Sequence, residues 1–536
     1  MRILPTVCHA SLIILLSLAP AWAKGGQTEA GAKSAKTAKA ASAGKAAAGK
    51  RAARIARASG MPTELAQALA ASGLPPQAFG LAVQAVGADV STAPRGAKRN
   101  KANKTEKAGK EQRESAWLLE FNARQSMNPA SVMKLLTTHA ALAEFGPQWQ
   151  ATTRIYGVGE LQHGVWQGDV YLQGGLDPRL AQENLWQMLH ELRAQGVQDV
   201  QGRILFDRSL WPQTALEDFD GASIKPYNVA PDALLFNFKS LRLYFNPDPA
   251  SQSARVSAQP ALPDLHFATL PLSNAACDDW QEAIGLRFER QEEGKGVRVL
   301  FDGSYPASCG VRARDVQAHA HSANPYAAGV LASLWRQVNP GSRFAVSYDN
   351  ASVPPDANLL LEWASPPLAL LVRDINKYSN NVMARMLYLR LGVVDGKASL
   401  EAADQRIRAH LQAKGVDLPE LVLDNGSGLS RRERISPAGM VRVLQLAWRA
   451  PHMPEFIASM PLVGVDGTMR RRLLQSPAQG QAHIKTGTLK DVRSVAGYVL
   501  AQSGRRYALA AFVNHSNPES GRALLDKVIE WVQVNG

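Results

Sequence analysis

Hydrophobic positions recur along this chain with two periods, and the switches between them outline its organisation. Pro62 to Ala71 reads as a short helix, Gly80 to Val86 as a strand, and Trp117 to Phe121 as the next strand. After Asn128-Pro129, which suits a helix start, Leu135, Leu136, Ala140 and Leu142 repeat at helical spacing within Val132 to Glu144. From about Thr152 to Val311 the pattern becomes short and alternating, as in Gly168 to Leu172, Gly202 to Phe206 and Val297 to Phe301, with Gly, Pro, Asp and Asn between. These stretches predict strands of one or two inserted, β-rich subdomains. Helical spacing returns over Pro325 to Val338 and, just after Pro366-Pro367, over Leu368 to Leu391. A Gly-rich turn at Asp424 to Gly428 leads through Ser436-Pro437 into an apolar helix, Met440 to Trp448. Strand-like Val495 to Gln502 and Arg506 to Val513 precede a final helix, Arg522 to Val534. The expected architecture is a mixed α/β core, 60–151 and 322–536, interrupted by an insertion at 152–321.

The chain has 536 residues, 46% of them apolar, enough for a large core and more than one domain. Arg2, the apolar stretch Leu12 to Leu18 and the small-residue site Ala21-Trp22-Ala23 match a cleavable export signal over residues 1–23. Cys8 precedes the apolar stretch, which argues against a lipid anchor there. The signal predicts an exported, periplasmic protein, free or held at a membrane face. It also leaves Cys277 and Cys309 as the two cysteines of the mature chain, in a compartment that permits disulfides, and they are expected to pair.

The formal charge of +14 is concentrated in two places. Lys24 to Ser59 holds nine Lys/Arg against one acid, and Arg95 to Ser115 holds eight against three; with Arg2 these account for the whole excess. Both stretches are rich in Ala, Gly, Lys and Ser and read as flexible, because little in them can be buried to offset the entropy of ordering. The second is expected to swell the tip of a β-hairpin. Solvated linkers and weak contact with an anionic envelope surface both remain open for these segments. Nucleic acid is not expected as a partner, since aromatics are scarce in the basic stretches and the signal removes the chain from the cytoplasm.

Three short patterns carry candidate chemistry: Ser131-Val132-Met133-Lys134, Ser379-Asn380-Asn381 and Lys485-Thr486-Gly487. Each is common by chance, but their order and local settings make the set specific. Residues three apart on a helix share a face, so Lys134 can reach back to the Ser131 hydroxyl. A serine needs a base to take its proton, and lysine serves only when neutral. Bringing a lysine from its ordinary pKa to neutral pH takes about 4 kcal/mol, which demands burial and a second cation, for which Lys485 is the candidate. The N–H of Ser131 at a helix start, with that of Thr488, would face a developing oxyanion.

On these motifs the chain resembles the class C low-molecular-mass penicillin-binding proteins, the D-alanyl-D-alanine carboxypeptidase/endopeptidase family. Asn128-Pro129-Ala130, Gly174 to Pro178, Pro226-Tyr227-Asn228 and Asp424 to Ser436 add to the likeness, as does the 248-residue separation of Ser131 from Ser379, where this family inserts extra domains. The resemblance implies a penicillin-binding/serine β-lactamase-like transpeptidase fold, with an antiparallel sheet flanked by helices. It also implies acyl transfer on peptidoglycan stem peptides, with β-lactams as covalent inhibitors. Ser131 would be the acylated nucleophile and Lys134 its proton acceptor; Ser379 would relay a proton to the leaving amine and Asn381 orient the substrate amide. Lys485, Thr486, Gly487 and Thr488 would form the site for the substrate carboxylate. Arg431 is a further candidate for a substrate carboxylate, and Lys377 reads either as added positive potential or as an ordinary helix-surface lysine. Asn380 replaces the commoner Asp at the centre of its motif, a position expected to point away from the chemistry. His139 is expected in the core. No metal or cofactor is expected, as there is no His-Glu-x-x-His pattern or cysteine cluster. A β-lactamase, which would need a deacylating base that cannot be assigned, and an inactive envelope-binding module are the competing readings.

Overall fold

The computed structural model describes residues 48–87, 117–212, 219–292, 296–342 and 347–536. The expected signal, most of the first basic stretch and the basic hairpin insertion at 95–115 lie outside them. A five-stranded antiparallel sheet forms the centre, in the order Ala482–Leu489, Val492–Leu500, Arg506–Asn514, Phe79–Ala85, Trp117–Phe121. Both of its faces are covered, which explains the near-continuous apolar runs of its central strands. Along Arg506–Asn514, Ala508, Ala510 and Phe512 enter one core, while Leu509, Ala511 and Val513 enter the other. This is the two-residue alternation of a strand, used twice.

On the first face lie Lys134–Phe145, Leu368–Tyr378, Asn381–Leu391, Leu400–Ala413 and Pro437–Trp448. The second face is covered by Thr63–Ala71 and Arg522–Asn535. Residues 48–59, read from composition as the end of a flexible linker, are instead helical, with Ala52 and Ile55 buried in this same core. Two small apolar side chains on one helical face suffice when a packed surface is already there to receive them, which composition does not reveal.

The inserted region is β-rich as expected, but it ends later than 321. Asn358–Ala364 pairs antiparallel with Thr152–Gln162, and Tyr348–Asn350 pairs parallel with Ile204–Asp207. The helix Ala323–Val338 packs into the insert's apolar cluster, not into the sheet's. A returning strand finds its partner through tertiary register, which a local pattern does not carry. A second antiparallel layer, including Ser240–Asp248, Ser253–Gln259 and Arg312–Gln317, shares that cluster. Cys277 and Cys309 are joined by a disulfide there, with their Cα atoms 4.9 Å apart. Among the described residues no helix is long and apolar enough to cross a membrane.

Candidate active site

The helical stretch read as continuous over Leu368 to Leu391 is broken at its chemical motif. Leu368–Tyr378 stops at Ser379, whose φ of 57° is left-handed, and Asn381–Leu391 starts anew. Asn380 caps the second helix by accepting the Met383 N–H at 3.1 Å, so an amide there serves the helix start. The helix Lys134–Phe145 is preceded by a tight 3₁₀ turn, Ala130–Met133, that carries Ser131; the α-helix proper begins at Lys134.

These breaks bring the three motifs together. Lys134 is fully buried, and its Nζ donates to Ser131 Oγ at 3.0 Å, to Asn381 Oδ1 at 2.6 Å and to the Ser427 carbonyl. Burial pushes its pKa well below the ordinary lysine value and the Lys485 charge pushes the same way; Glu433 opposes them, and Arg385 adds a further push downward. Lys485, also fully buried, donates to Ser379 Oγ at 2.8 Å and to the Thr486 carbonyl at 2.7 Å, and burial lowers its pKa to about 7. Asn381 Nδ2 donates to the Tyr227 carbonyl of the insert at 3.3 Å, which ties the inserted region to the site.

The strand Ala482–Leu489 runs against the turn that carries Ser131. A Cβ on Gly487 would lie 2.2 Å from Ser494 Oγ and 2.6 Å from the Pro129 carbonyl, so only glycine permits this approach. Ser494 itself donates to that carbonyl at 2.6 Å. Thr486 Oγ1 is 2.8 Å from Thr468 Oγ1, and Thr488 is exposed beyond it.

The turn from Asp424 closes the opposite side, and its organiser is a residue that sequence reasoning missed. Glu433 is fully buried and accepts the N–H groups of Gly426 at 2.7 Å, Asn425 at 3.1 Å and Asp424 at 3.4 Å. Burial raises its pKa. This clamp presents the Ser427 carbonyl to Lys134, while Gly428, at a φ of 79°, packs against the Ala130 carbonyl. An acid among Arg431, Arg432 and Arg434 looks like a surface residue in sequence; its only signal was proximity to the Gly-rich turn.

Other candidates are placed differently. Lys377 is neither exposed nor free, because it is buried and pairs with Asp466 at 2.6 Å, which corrects the reading of a helix-surface lysine. Arg431 lies at the rim, with its guanidinium over the Phe219 ring at 4.9 Å and 3.9 Å from Asp491. His139 is in the core, as expected, where it meets His410 and His452 at 3.3 Å each. Among the described residues no group of three or more His, Cys, Asp or Glu is arranged to hold a metal ion.

A serine beside a buried lysine, at the junction of a helical layer and a five-stranded antiparallel sheet, defines the penicillin-binding/β-lactamase type of transpeptidase fold. A model of the D-Ala-D-Ala carboxypeptidase 3 (S13) family matches residues 103–534, and the chain belongs to that family of serine-type hydrolases. It is 24% identical over 406 residues to D-alanyl-D-alanine carboxypeptidase DacB of Haemophilus influenzae, covering 74% of this chain and 82% of that protein. With a D-alanyl-D-alanine carboxypeptidase of an Actinomadura species it shares 28% identity over 414 residues, 74% of each chain. The crystal structure of penicillin binding protein 4 from Haemophilus influenzae has the same fold, with a TM-score of 0.65 at 21% identity over 84% of this chain and 96% of the other. The protein is thus a serine-type D-Ala-D-Ala carboxypeptidase whose substrate is peptidoglycan and whose inhibitors are β-lactams.

Proposed function

We propose that Ser131 is the acylated nucleophile of this carboxypeptidase and that the same site cleaves peptidoglycan cross-links as an endopeptidase. The observation that carries this reading is the buried Lys134 amine, 3.0 Å from Ser131 Oγ and shifted toward its neutral form. Lys134 takes the Ser131 proton as Oγ attacks the carbonyl carbon of the penultimate D-Ala. The oxyanion is met by the backbone N–H groups of Ser131 and Thr488. Collapse of the intermediate breaks the C–N bond, and the leaving amine receives a proton through Ser379, which Lys485 holds at 2.8 Å. Water then cleaves the acyl-enzyme, returning Ser131 to its hydroxyl form. Asn381 orients the substrate amide, Lys485 with Thr486, Gly487 and Thr488 receives the terminal carboxylate, and Arg431 meets a further carboxylate at the rim. Endopeptidase action needs only a different amine as leaving group. The export signal favours a periplasmic location, where the basic segments contact anionic envelope surfaces weakly.

Intact-mass measurement after incubation with benzylpenicillin tests the assignment. One adduct on the wild type and none on Ser131→Ala is expected. A folded wild-type protein that takes up no adduct would overturn it.

A further inference from the structure

A groove of about 750 Å³ leaves the active site along Ser379 and Asn381 and runs between the catalytic unit and the insert. Three large aromatic side chains stand exposed along it: Tyr378, directly before Ser379, Tyr227, and Trp186 on the insert helix Gln182–Ala194. Gln182, Asn237 and Gln259 line the same surface, Asn237 with its amide engaged by the Gln182 N–H and the Ser240 carbonyl and Gln259 accepting from the Tyr244 hydroxyl. The groove is joined to the catalytic residues through Tyr227, whose carbonyl accepts from Asn381 at 3.3 Å.

One wall is held in an unfavourable backbone conformation. Asn237, Phe238 and Lys239 have φ of 44°, 53° and 48°, three successive non-glycine residues in a region that L residues enter singly. The turn is fixed by the Lys239 N–H on the Phe236 carbonyl at 2.8 Å and by the Tyr326 hydroxyl on the Ser240 carbonyl at 2.8 Å. It lays Asn237 and Phe238 against the groove. Strain of this kind persists where the surroundings over-determine it, and it gathers at binding sites.

From this arrangement we infer that the groove binds the N-acetylated aminosugar strand that carries the stem peptides. The inference rests on the peptidoglycan reading of the adjoining site. Aromatic faces pack against the C–H faces of pyranose rings, and side-chain amides match N-acetyl groups and hydroxyls. The groove's charges favour a neutral polymer over a stem peptide with its carboxylates and amines. Arg242 is paired with Asp315 at 2.7 and 2.9 Å, and Glu183, 3.9 Å from an Arg179 that sits closer to Asp374 at 3.2 Å, leaves negative charge that disfavours a carboxylate. With the strand held there, its stem peptide would be delivered along the Ser379 to Asn381 edge toward Ser131.

Two measurements on the full chain test this. N-acetylglucosamine tetramer, titrated by calorimetry, is expected to bind the wild type and Trp186→Phe, and to lose affinity for Trp186→Ala and Gln182→Ala. Hydrolysis of a disaccharide-linked pentapeptide is compared with that of the same pentapeptide without sugar. The wild type is expected to favour the sugar-bearing substrate in kcat/KM, and Trp186→Ala to reduce that preference roughly three- to tenfold, through KM. No tetramer binding together with equal kcat/KM on both substrates would overturn the inference, as would competition by free stem peptide for this groove. Benzylpenicillin acylation is followed in parallel. Because the sugar titration needs no turnover, failure of the serine assignment and failure of the groove assignment are read separately.

Discussion

Lys485 Nζ donates a hydrogen bond to Ser379 Oγ at 2.8 Å, joining the edge strand of the sheet to the break between two helices. The two groups come from motifs 106 residues apart, and Lys485 is fully buried. Lys485 is therefore a cation held mostly by hydroxyl and carbonyl dipoles, with a pKa near 7 because of burial. Its charge is available to a substrate carboxylate below that pH and is lost above it.

The pH dependence of acylation follows. As pH rises, Lys134 loses its proton and the base becomes competent; as pH passes about 7, free-enzyme Lys485 becomes neutral and the carboxylate site weakens. The expected kcat/KM profile for benzylpenicillin acylation is bell-shaped, with its descending limb near 7. Stopped-flow acylation from pH 5 to 10 measures it, and Lys485→Ala should abolish the descending limb while lowering kcat/KM throughout.

Gly487→Ala should separate activity from stability. The new methyl would meet Ser494 Oγ and the Pro129 carbonyl well inside van der Waals contact, forcing the strand away from the turn that carries Ser131. A displacement near 1 Å at reacting groups can cost about a hundredfold in rate. Penicillin acylation is expected to fall by at least that order, while thermal unfolding shifts by only a few degrees.

Glu433→Ala should act in the opposite sense, on stability first. It removes the acceptor of three backbone N–H groups in the Asp424 turn. Only the Gly426 bond is fully buried, and an unpaired buried donor costs about 1 to 3 kcal/mol, so with two part-buried donors beside it a loss of about 2 to 4 kcal/mol is expected in urea unfolding. Glu433→Gln retains an acceptor and should recover most of it. Equal stability of wild type and the alanine variant would show that the turn is held by other contacts.

The disulfide stabilises a different part of the molecule. Cys277 and Cys309 close a loop with a sequence separation of 32 inside the insert, remote from Ser131 in the chain. Removing the cross-link with Cys277→Ser and Cys309→Ser together should cost about 3 kcal/mol through the freedom regained by the unfolded loop. The rate of penicillin acylation should be unchanged, which pairs a chemical-denaturation curve with the acylation assay.

Much of the site was legible because catalysis needs particular side chains at particular spacings. Ser131 and Lys134 stand three apart at a helix start, and Lys485-Thr486-Gly487 sits among strand-like residues. Asn380, which the family resemblance implies is directed away from the chemistry, caps the second helix. What escaped were the residues that support those groups. Glu433 carries no local signal of its own, and Lys377 reads either as added positive potential or as a helix-surface lysine, because local sequence does not show which charges the fold will bury. The strained turn Asn237 to Lys239 gave little signal, since Asn tolerates positive φ but Phe and Lys ordinarily avoid it.

The sequence by itself determined the alternation of the sheet strands, the helical stretches, the inserted β-rich region and the three reactive motifs, all of which are local in period or spacing. Only the tertiary structure decided that the insert runs on through Asn358–Ala364 and that residues 48–59 dock as a helix. It alone buried Lys134 and Lys485 together, where burial lowers the cost of a neutral amine at both and the Lys485 charge lowers it further at Lys134. Strand register, burial and desolvation depend on residues hundreds of positions apart, so no window of sequence contains them.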